Sequence, residues 1–176
     1  RYTSPPYALY FGNPFNPCTD DPEKICPNFM SETEVVSATA TSPYIKLPSG
    51  GTATVSFQVF IDTESSSDFD VLELRVVKNG LHKTVWTKMD VNGVTDGKFV
   101  EATLDVSEFA GDNIQFLFFF NSSDGLFNHT EGVYIDDFTV SSECGGPGAE
   151  ENGKNDFPTL WDVWGTGPEN VYAVGN

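Results

Sequence analysis

The stretch Val133-Tyr134-Ile135-Asp136-Asp137-Phe138-Thr139-Val140 decides how this chain folds, because apolar and β-branched residues fill it without glycine or proline. In an extended strand, successive side chains point to opposite faces of the sheet. We therefore expect the even-numbered residues to share one face and the odd-numbered residues to share the other. Whichever face packs against the core carries one aspartate with it. An isolated buried charge costs several kcal/mol unless it is paired or bound to a metal.

Organic counter-ions are scarce, since the chain has 9 Lys and Arg residues against 26 Asp and Glu residues and a net charge of −17. Ca²⁺ binds about six to eight oxygen atoms, and we expect it to neutralise Asp136 or Asp137. The alternative is that one aspartate faces solvent and the other caps a backbone group at a sheet corner. The same acidity argues against binding to nucleic acid or to an anionic membrane.

Turn signals at regular spacing divide the chain into short strands. Residues 52–61 alternate cleanly, and Lys78-Asn79-Gly80 is typical of a hairpin turn. Residues 105–111 predict a single helical turn closed by glycine. Residues 114–120 predict a central strand, either buried on both faces or closing a tightly packed sandwich. The predicted strands are 7–11, 34–40, 44–47, 52–61, 70–77, 81–86, 98–104, 114–120 and 133–140.

This pattern predicts an all-β fold, an antiparallel jelly-roll β-sandwich with a C-terminal β-hairpin extension. We assign residues 1–142 to the sandwich, 143–156 to a Gly-rich linker and 157–176 to the hairpin. An isolated hairpin is marginally stable in water, so this one must dock on something. Strand addition to a neighbouring copy would build an extracellular filament. The expected assembly residues are Trp161, Trp164, Val171 and Tyr172.

The cysteines indicate the compartment. Cys18 and Cys26 bracket a short polar loop, and a disulfide there favours an extracellular location, whereas Cys144 is a free thiol or pairs outside the chain. The start at Arg1, without an initiator Met, is expected of a piece of a longer precursor. No run of about 18 apolar residues occurs, so we expect no membrane insertion.

Two acidic loops are the candidate metal site. Four acids lie within residues 62–70, around a triple-serine turn, and they repel one another unless a cation lies among them. The loop 121–131 adds the oxygens of Asp124, Asn128 and Glu131. A solvated acidic turn and an Asp-Gly turn without ligand are the respective alternatives. The predicted Ca²⁺ ligands are Asp62, Glu64, Asp70, Asp124, Asp136 and Asp137.

Residues 8–140 resemble the MAM-like, concanavalin-type jelly-roll domains of secreted bacterial proteins. The similar stretches are 9–13, 41–47, 104–111 and, above all, Gly132 to Val140. The resemblance implies a secreted, non-catalytic binding or adhesion module at the cell surface, stabilised by Ca²⁺, and does not identify what the module binds. We expect an extracellular protein or glycan as its ligand. The tail at 160–175 resembles half a blade of the Trp-Gly-rich repeats of secreted β-propellers.

Catalytic motifs are scarce. His82 and His129 are the only histidines, and neither His-Glu-x-x-His nor Gly-x-Ser-x-Gly occurs. Paired carboxylates cleave glycosides in some jelly-roll hydrolases. The acids here cluster at one sheet end in the manner of metal ligands, so we expect no enzyme activity.

Overall fold

A computed structural model of the chain describes residues 1–4, 8–12 and 35–143, which form two antiparallel β-sheets. None of the described residues forms a helix long and apolar enough to cross a membrane. Two short 3₁₀ turns, Lys88–Val91 and Ser107–Phe109, accompany the strands. The strands are β1 (Leu9–Phe11), β2 (Ser37–Thr41), β3 (Ile45–Lys46), β4 (Thr52–Asp62), β5 (Val71–Lys78), β6 (Leu81–Thr87), β7 (Val100–Asp105), β8 (Asn113–Asn121) and β9 (Gly132–Glu143).

The strand order is β1-β9-β4-β7 in one sheet and β2-β8-β5-β6 in the other, where β3 also pairs with β8. All the strand pairs found are antiparallel. The all-β, antiparallel prediction is therefore confirmed. The jelly-roll connectivity stays a prediction.

The core lies between the two sheets and follows from the alternation in β4. Val55, Phe57, Val59 and Ile61 are at most 1% exposed. The Phe57 ring meets the edge of Phe118 from the other sheet at a centroid distance of 5.2 Å. Burying one such side chain stabilises the fold by roughly 1.5–3 kcal/mol. In β8 the even-numbered residues are buried and the odd-numbered residues are half-buried, so this strand closes the sandwich with one face.

A β-bulge in β9 overturns the predicted division of its faces. Gln58 pairs with Asp136 whereas Ser56 pairs with Thr139, so two residues of β9 lie opposite Phe57 alone. Asp137 takes the left-handed conformation at φ 52°. The extra residue shifts the phase of the strand. Val133 and Ile135 contribute to the core before the bulge, and Phe138 and Val140 do so after it. The expectation that Tyr134, Asp136, Phe138 and Val140 share one face was therefore wrong.

Several predictions concern residues outside the described ranges. The proposed disulfide between Cys18 and Cys26 lies there, as does Cys144. The linker beyond Glu143 and the hairpin with Trp161, Trp164, Val171 and Tyr172 also lie there. These stay predictions.

Candidate metal site and acidic clamp

The bulge in β9 directs both of its carboxylates at residues 3 and 4, an arrangement that we call the acidic clamp (Asp136 and Asp137). Asp136 is only 7% exposed. Its Oδ2 accepts hydrogen bonds from the backbone N–H groups of Thr3 at 2.6 Å and Ser4 at 3.0 Å, and from the Thr3 hydroxyl at 2.9 Å. The exposed Asp137 accepts a hydrogen bond from the Ser4 hydroxyl and shares with Asp136 the single hydrogen of the Thr3 hydroxyl, whose oxygen lies 2.6 Å from Asp137. Both side chains therefore have several protein donors.

Arg1 completes the contact between this segment and the sheet. Its Nε donates to the Glu131 carboxylate at 2.7 Å, and its guanidinium lies 4.4 Å from the centre of the Phe60 ring. A guanidinium over an aromatic face is attracted by the ring quadrupole. Asp62 holds the acidic partner in place, because its Oδ2 accepts the backbone N–H of Glu131 at 2.9 Å.

In this structure Asp136 therefore corresponds to the capping alternative, in which a carboxylate accepts backbone N–H groups, and it lies just beyond the end of the pairing between β1 and β9. Asp62 has a similar role towards Glu131. A role of Asp62, Asp136 and Asp137 in holding Ca²⁺ stays a prediction. The other predicted ligands lie in two neighbouring loops.

The first loop, residues 63–70, buries an aspartate completely. Asp70 is 0% exposed and takes a left-handed conformation at φ 49°. Its Oδ2 accepts the backbone N–H of Glu64 at 2.8 Å, whereas its Oδ1 is buried without a hydrogen-bond partner. Backbone strain of this kind persists where the surroundings impose it, often at a binding site.

The second loop, residues 122–131, is joined to the first through the backbone of Asp70, whose N–H donates to the Ser122 carbonyl at 3.1 Å. The Asp124 carbonyl accepts the Ser122 hydroxyl at 2.7 Å and the side-chain amide of Asn128 at 3.0 Å. Asn128 is 0% exposed, and its Oδ1 has no partner. The amide N–H groups of Asn128 thus fix its orientation while its oxygen stays unused.

Three of the four buried side-chain polar atoms without a partner in the described residues belong to these loops: Glu64 Oε2, Asp70 Oδ1 and Asn128 Oδ1. We call these three atoms the unpaired oxygens. Leaving a buried acceptor unpaired costs about 1–3 kcal/mol each. Because three unpaired oxygens lie in two connected loops, we expect a hydrogen-bond donor or a cation to bind there. Carboxylate and amide oxygens are the ligands that Ca²⁺ prefers.

Lys88 supplies part of the required positive charge. This residue is 2% exposed, and its ammonium donates to the backbone carbonyls of Glu64 and, at 2.8 Å, Phe69. Burial lowers the pKa of Lys88, and the attraction of Asp70 and Glu64 opposes that effect. The turn that carries Lys88 packs closely on the first loop, because a Cβ on Gly93 would lie 2.3 Å from the Ser65 carbonyl oxygen.

The ammonium group of Lys88 does not offset the cost of burying the Asp70 carboxylate. Burial raises the pKa of Asp70 to about 6, although the hydrogen bond from Glu64 and the charge of Lys88 lower it. Glu64 and Asp124 raise the pKa further through like-charge repulsion. Around Asp70 the ammonium group of Lys88 is set against three carboxylates, those of Glu64, Asp70 and Asp124, so this set keeps two negative charges, which one Ca²⁺ ion would balance.

The described residues do not contain three or more His, Cys, Asp or Glu side chains grouped closely enough to hold a metal. The unpaired oxygens point to a mixed set of ligands instead, since one of them is an amide oxygen. The residues fit a Ca²⁺ ion in chemistry and in charge.

Sequence reasoning identified Glu64, Asp70, Asp124 and Asn128 but missed Lys88, Thr3 and Ser4. The burial of Lys88 could not be predicted, because nothing in the sequence distinguishes a buried lysine in a polar turn from an exposed one. Thr3 and Ser4 reach the clamp from more than 130 residues away. Comparison of the chain with models of known protein families finds no match, and comparison with curated proteins finds none either.

Proposed function

We propose that this chain is an extracellular, non-catalytic β-sandwich module whose two loops, 63–70 and 122–131, bind one Ca²⁺ ion. The unpaired oxygens of Glu64, Asp70 and Asn128 carry this proposal. A bound Ca²⁺ would satisfy these atoms and cancel the remaining charge. The ion would also join the two loops, which the hydrogen bond from the Asp70 N–H to the Ser122 carbonyl connects in this structure.

The same loops offer a binding surface. Phe69, Leu126 and Phe127 are 38%, 60% and 63% exposed, and they are next to or near the proposed ligands in sequence. Phe127 has φ 57°, a conformation that is uncommon for a bulky residue and is retained where the surroundings impose it. Exposed apolar side chains on loops are typical of surfaces that contact another molecule. We propose an extracellular protein or glycan as the ligand, and we expect Ca²⁺ to order this surface.

Thermal unfolding in Ca²⁺ and in EDTA tests the proposal. Extracellular modules bind Ca²⁺ with dissociation constants of about 10⁻⁴ to 10⁻³ M. About 10 mM CaCl₂ is about 10–100 times these dissociation constants, which stabilises a protein by about 1.4–2.7 kcal/mol. For a chain of this size we expect Tm to rise by roughly 3–10 °C. Asp124→Asn should reduce this rise, because it removes one charge and keeps the oxygen that accepts Leu126 N–H.

Asp68→Asn is the matched control. Asp68 is exposed and lies in the first loop, and its side chain contacts only the neighbouring Ser67 hydroxyl, so the loss of its charge should leave the Ca²⁺ effect unchanged. Asp136→Asn should also leave the effect unchanged, because the clamp is separate from the two loops. A Tm that is equal in Ca²⁺ and EDTA would refute the proposed site. If Asp124→Asn, Asp68→Asn and Asp136→Asn all reduced the Ca²⁺-dependent rise in Tm equally, the rise would come from general neutralisation of the acidic surface and not from one site.

A further inference from the structure

We propose that the acidic clamp and its surroundings form a recognition site for peptide segments of the pattern Arg-x-Thr-Ser, and that residues 1–4 of this chain occupy the site in cis. The site consists of Phe60, Glu131, Asp136 and Asp137. The partner is a segment of another protein chain with this chemistry. This inference does not rest on the Ca²⁺ proposal, although Glu131 also belongs to the loop 122–131.

The clamp matches a pair of hydroxyl residues. The Asp136 carboxylate accepts two consecutive backbone N–H groups, which fixes the path of the bound segment. The two hydroxyl groups reach both carboxylates, with Thr3 Oγ1 at 2.9 Å from Asp136 and 2.6 Å from Asp137. Hydrogen bonds to a charged acceptor are stronger than those to a neutral acceptor. A segment without hydroxyl groups at these positions would leave the acceptors of Asp137 unused.

A second contact selects a cationic side chain two residues before the threonine of the bound segment. The guanidinium of Arg1 meets a carboxylate oxygen of Glu131, the face of Phe60 and, at 3.3 Å, the carbonyl of Gly97. The planar, forked guanidinium fits this set, whereas a lysine ammonium has no plane to lie on the ring. The side chain of residue 2 is not part of the recognition, since Tyr2 is 54% exposed.

The receiving groups exist independently of the segment. Phe60, Asp136 and Asp137 belong to β4 and β9, and the left-handed bulge residue fixes the direction of the carboxylates. Glu131 is held by Asp62, and the Phe60 ring packs edge-on against Tyr134. Residues 1–4 add no strand to either sheet, so their displacement leaves the pairing intact. A site built on strands and filled by an irregular segment can exchange its occupant.

A tethered segment competes with any partner through its effective concentration, which is of millimolar order for short linkers. Weakening the cis contacts should therefore expose the site to a peptide in solution. The probe is an acetylated, amidated and fluorescently labelled peptide with the sequence of residues 1–6. The receiving protein is the full chain with Arg1→Ala, Thr3→Val and Ser4→Ala, which preserves its length. Anisotropy and amide chemical shifts report binding.

We expect saturable binding to this triple variant and at least tenfold weaker binding to the unmodified chain. A control peptide with Ala, Val and Ala at the same three positions should not bind. Adding Asp136→Asn and Asp137→Asn to the triple variant should abolish binding. The proposal is overturned if the folded triple variant binds no peptide at millimolar concentration, or if the added substitutions change nothing.

Folding of the triple variant is checked by its circular dichroism and melting curve. Should it unfold, Arg1→Ala alone replaces it, because this change removes only the surface contacts of Arg1 with Glu131, the Phe60 ring and the Gly97 carbonyl. The peptide must then bind Arg1→Ala more tightly than the unmodified chain, and equal affinity would refute the proposal. If residues 1–4 only stabilised the sheet, the free peptide would not bind to the variant chain.

Discussion

Asp70→Asn should stabilise the metal-free protein, because the native carboxylate is buried with one oxygen unpaired. The pKa of Asp70 rises from 3.8 to about 6 on folding. At about 1.36 kcal/mol for each tenfold change in the proton equilibrium, the ionised carboxylate costs about 3 kcal/mol in the folded state. The attraction of Lys88 is already contained in this value, since it opposes the rise. Asparagine keeps the size and an acceptor for Glu64 N–H but carries no charge.

The pH dependence has a definite sign. Below pH 3.8 the carboxyl group is protonated in both states and costs nothing. Between pH 3.8 and about 6 the unfolded chain ionises first, so the native protein loses stability as pH rises. Above pH 6 the full cost applies. The advantage of Asp70→Asn should therefore grow from almost nothing near pH 4 to about 3 kcal/mol near pH 7.

Urea unfolding in EDTA, followed through the fluorescence of the buried Trp86, measures this difference at each pH. Asp68→Asn serves as the control and should show no such dependence. Ca²⁺ at about 100 times its dissociation constant should remove most of the advantage of Asp70→Asn at pH 7, because it stabilises the parent by about 2.7 kcal/mol and the variant, with one negative charge fewer at the site, by less. A variant that is no more stable than the parent at pH 7 in EDTA would refute the reasoning.

Two further predictions concern the loops and the core. Gly93→Ala should cost about 1–3 kcal/mol in urea unfolding, since its Cβ would collide with the Ser65 carbonyl and its φ is 84°. Gly97→Ala, at φ 76° in open space, should cost only about 1 kcal/mol, and equal losses would contradict the contact. Phe57→Ala should cost about 3–5 kcal/mol, whereas Leu81→Ala, at a position 77% exposed, should stay within about 0.5 kcal/mol.

The strands could be predicted because each depends on a local pattern. The alternation of residues 52–61 places Val55, Phe57 and Val59 in the core, as the hydrophobic period of two requires. The hairpin at Asn79-Gly80 follows from the left-handed conformations that this pair adopts easily. Strand ends were displaced by one to three residues in most cases, because pairing with a neighbour decides where a strand stops.

The bulge could not be predicted, because no local pattern distinguishes Asp137 from a regular strand residue. Its position depends on the partner strand, where Phe57 lies opposite two residues of β9. The candidate metal site was partly predictable. The acids of the two loops are visible in the sequence, whereas the burial of Asp70 and the approach of Lys88 require long-range folding.

The bulge also bears on how reliably this molecule assembles its own sheet. In a regular strand, sliding by one residue exchanges the inner and outer sets of side chains. In β9 the bulge changes which residues face the core, the odd-numbered ones before it and the even-numbered ones after it. A register in which one half faces correctly without the bulge would therefore turn the core side chains of the other half to solvent. A wrongly aligned β9 would thus expose Phe138 and Val140 or turn Val133 and Ile135 to solvent. Misaligned intermediates should be short-lived during folding for this reason.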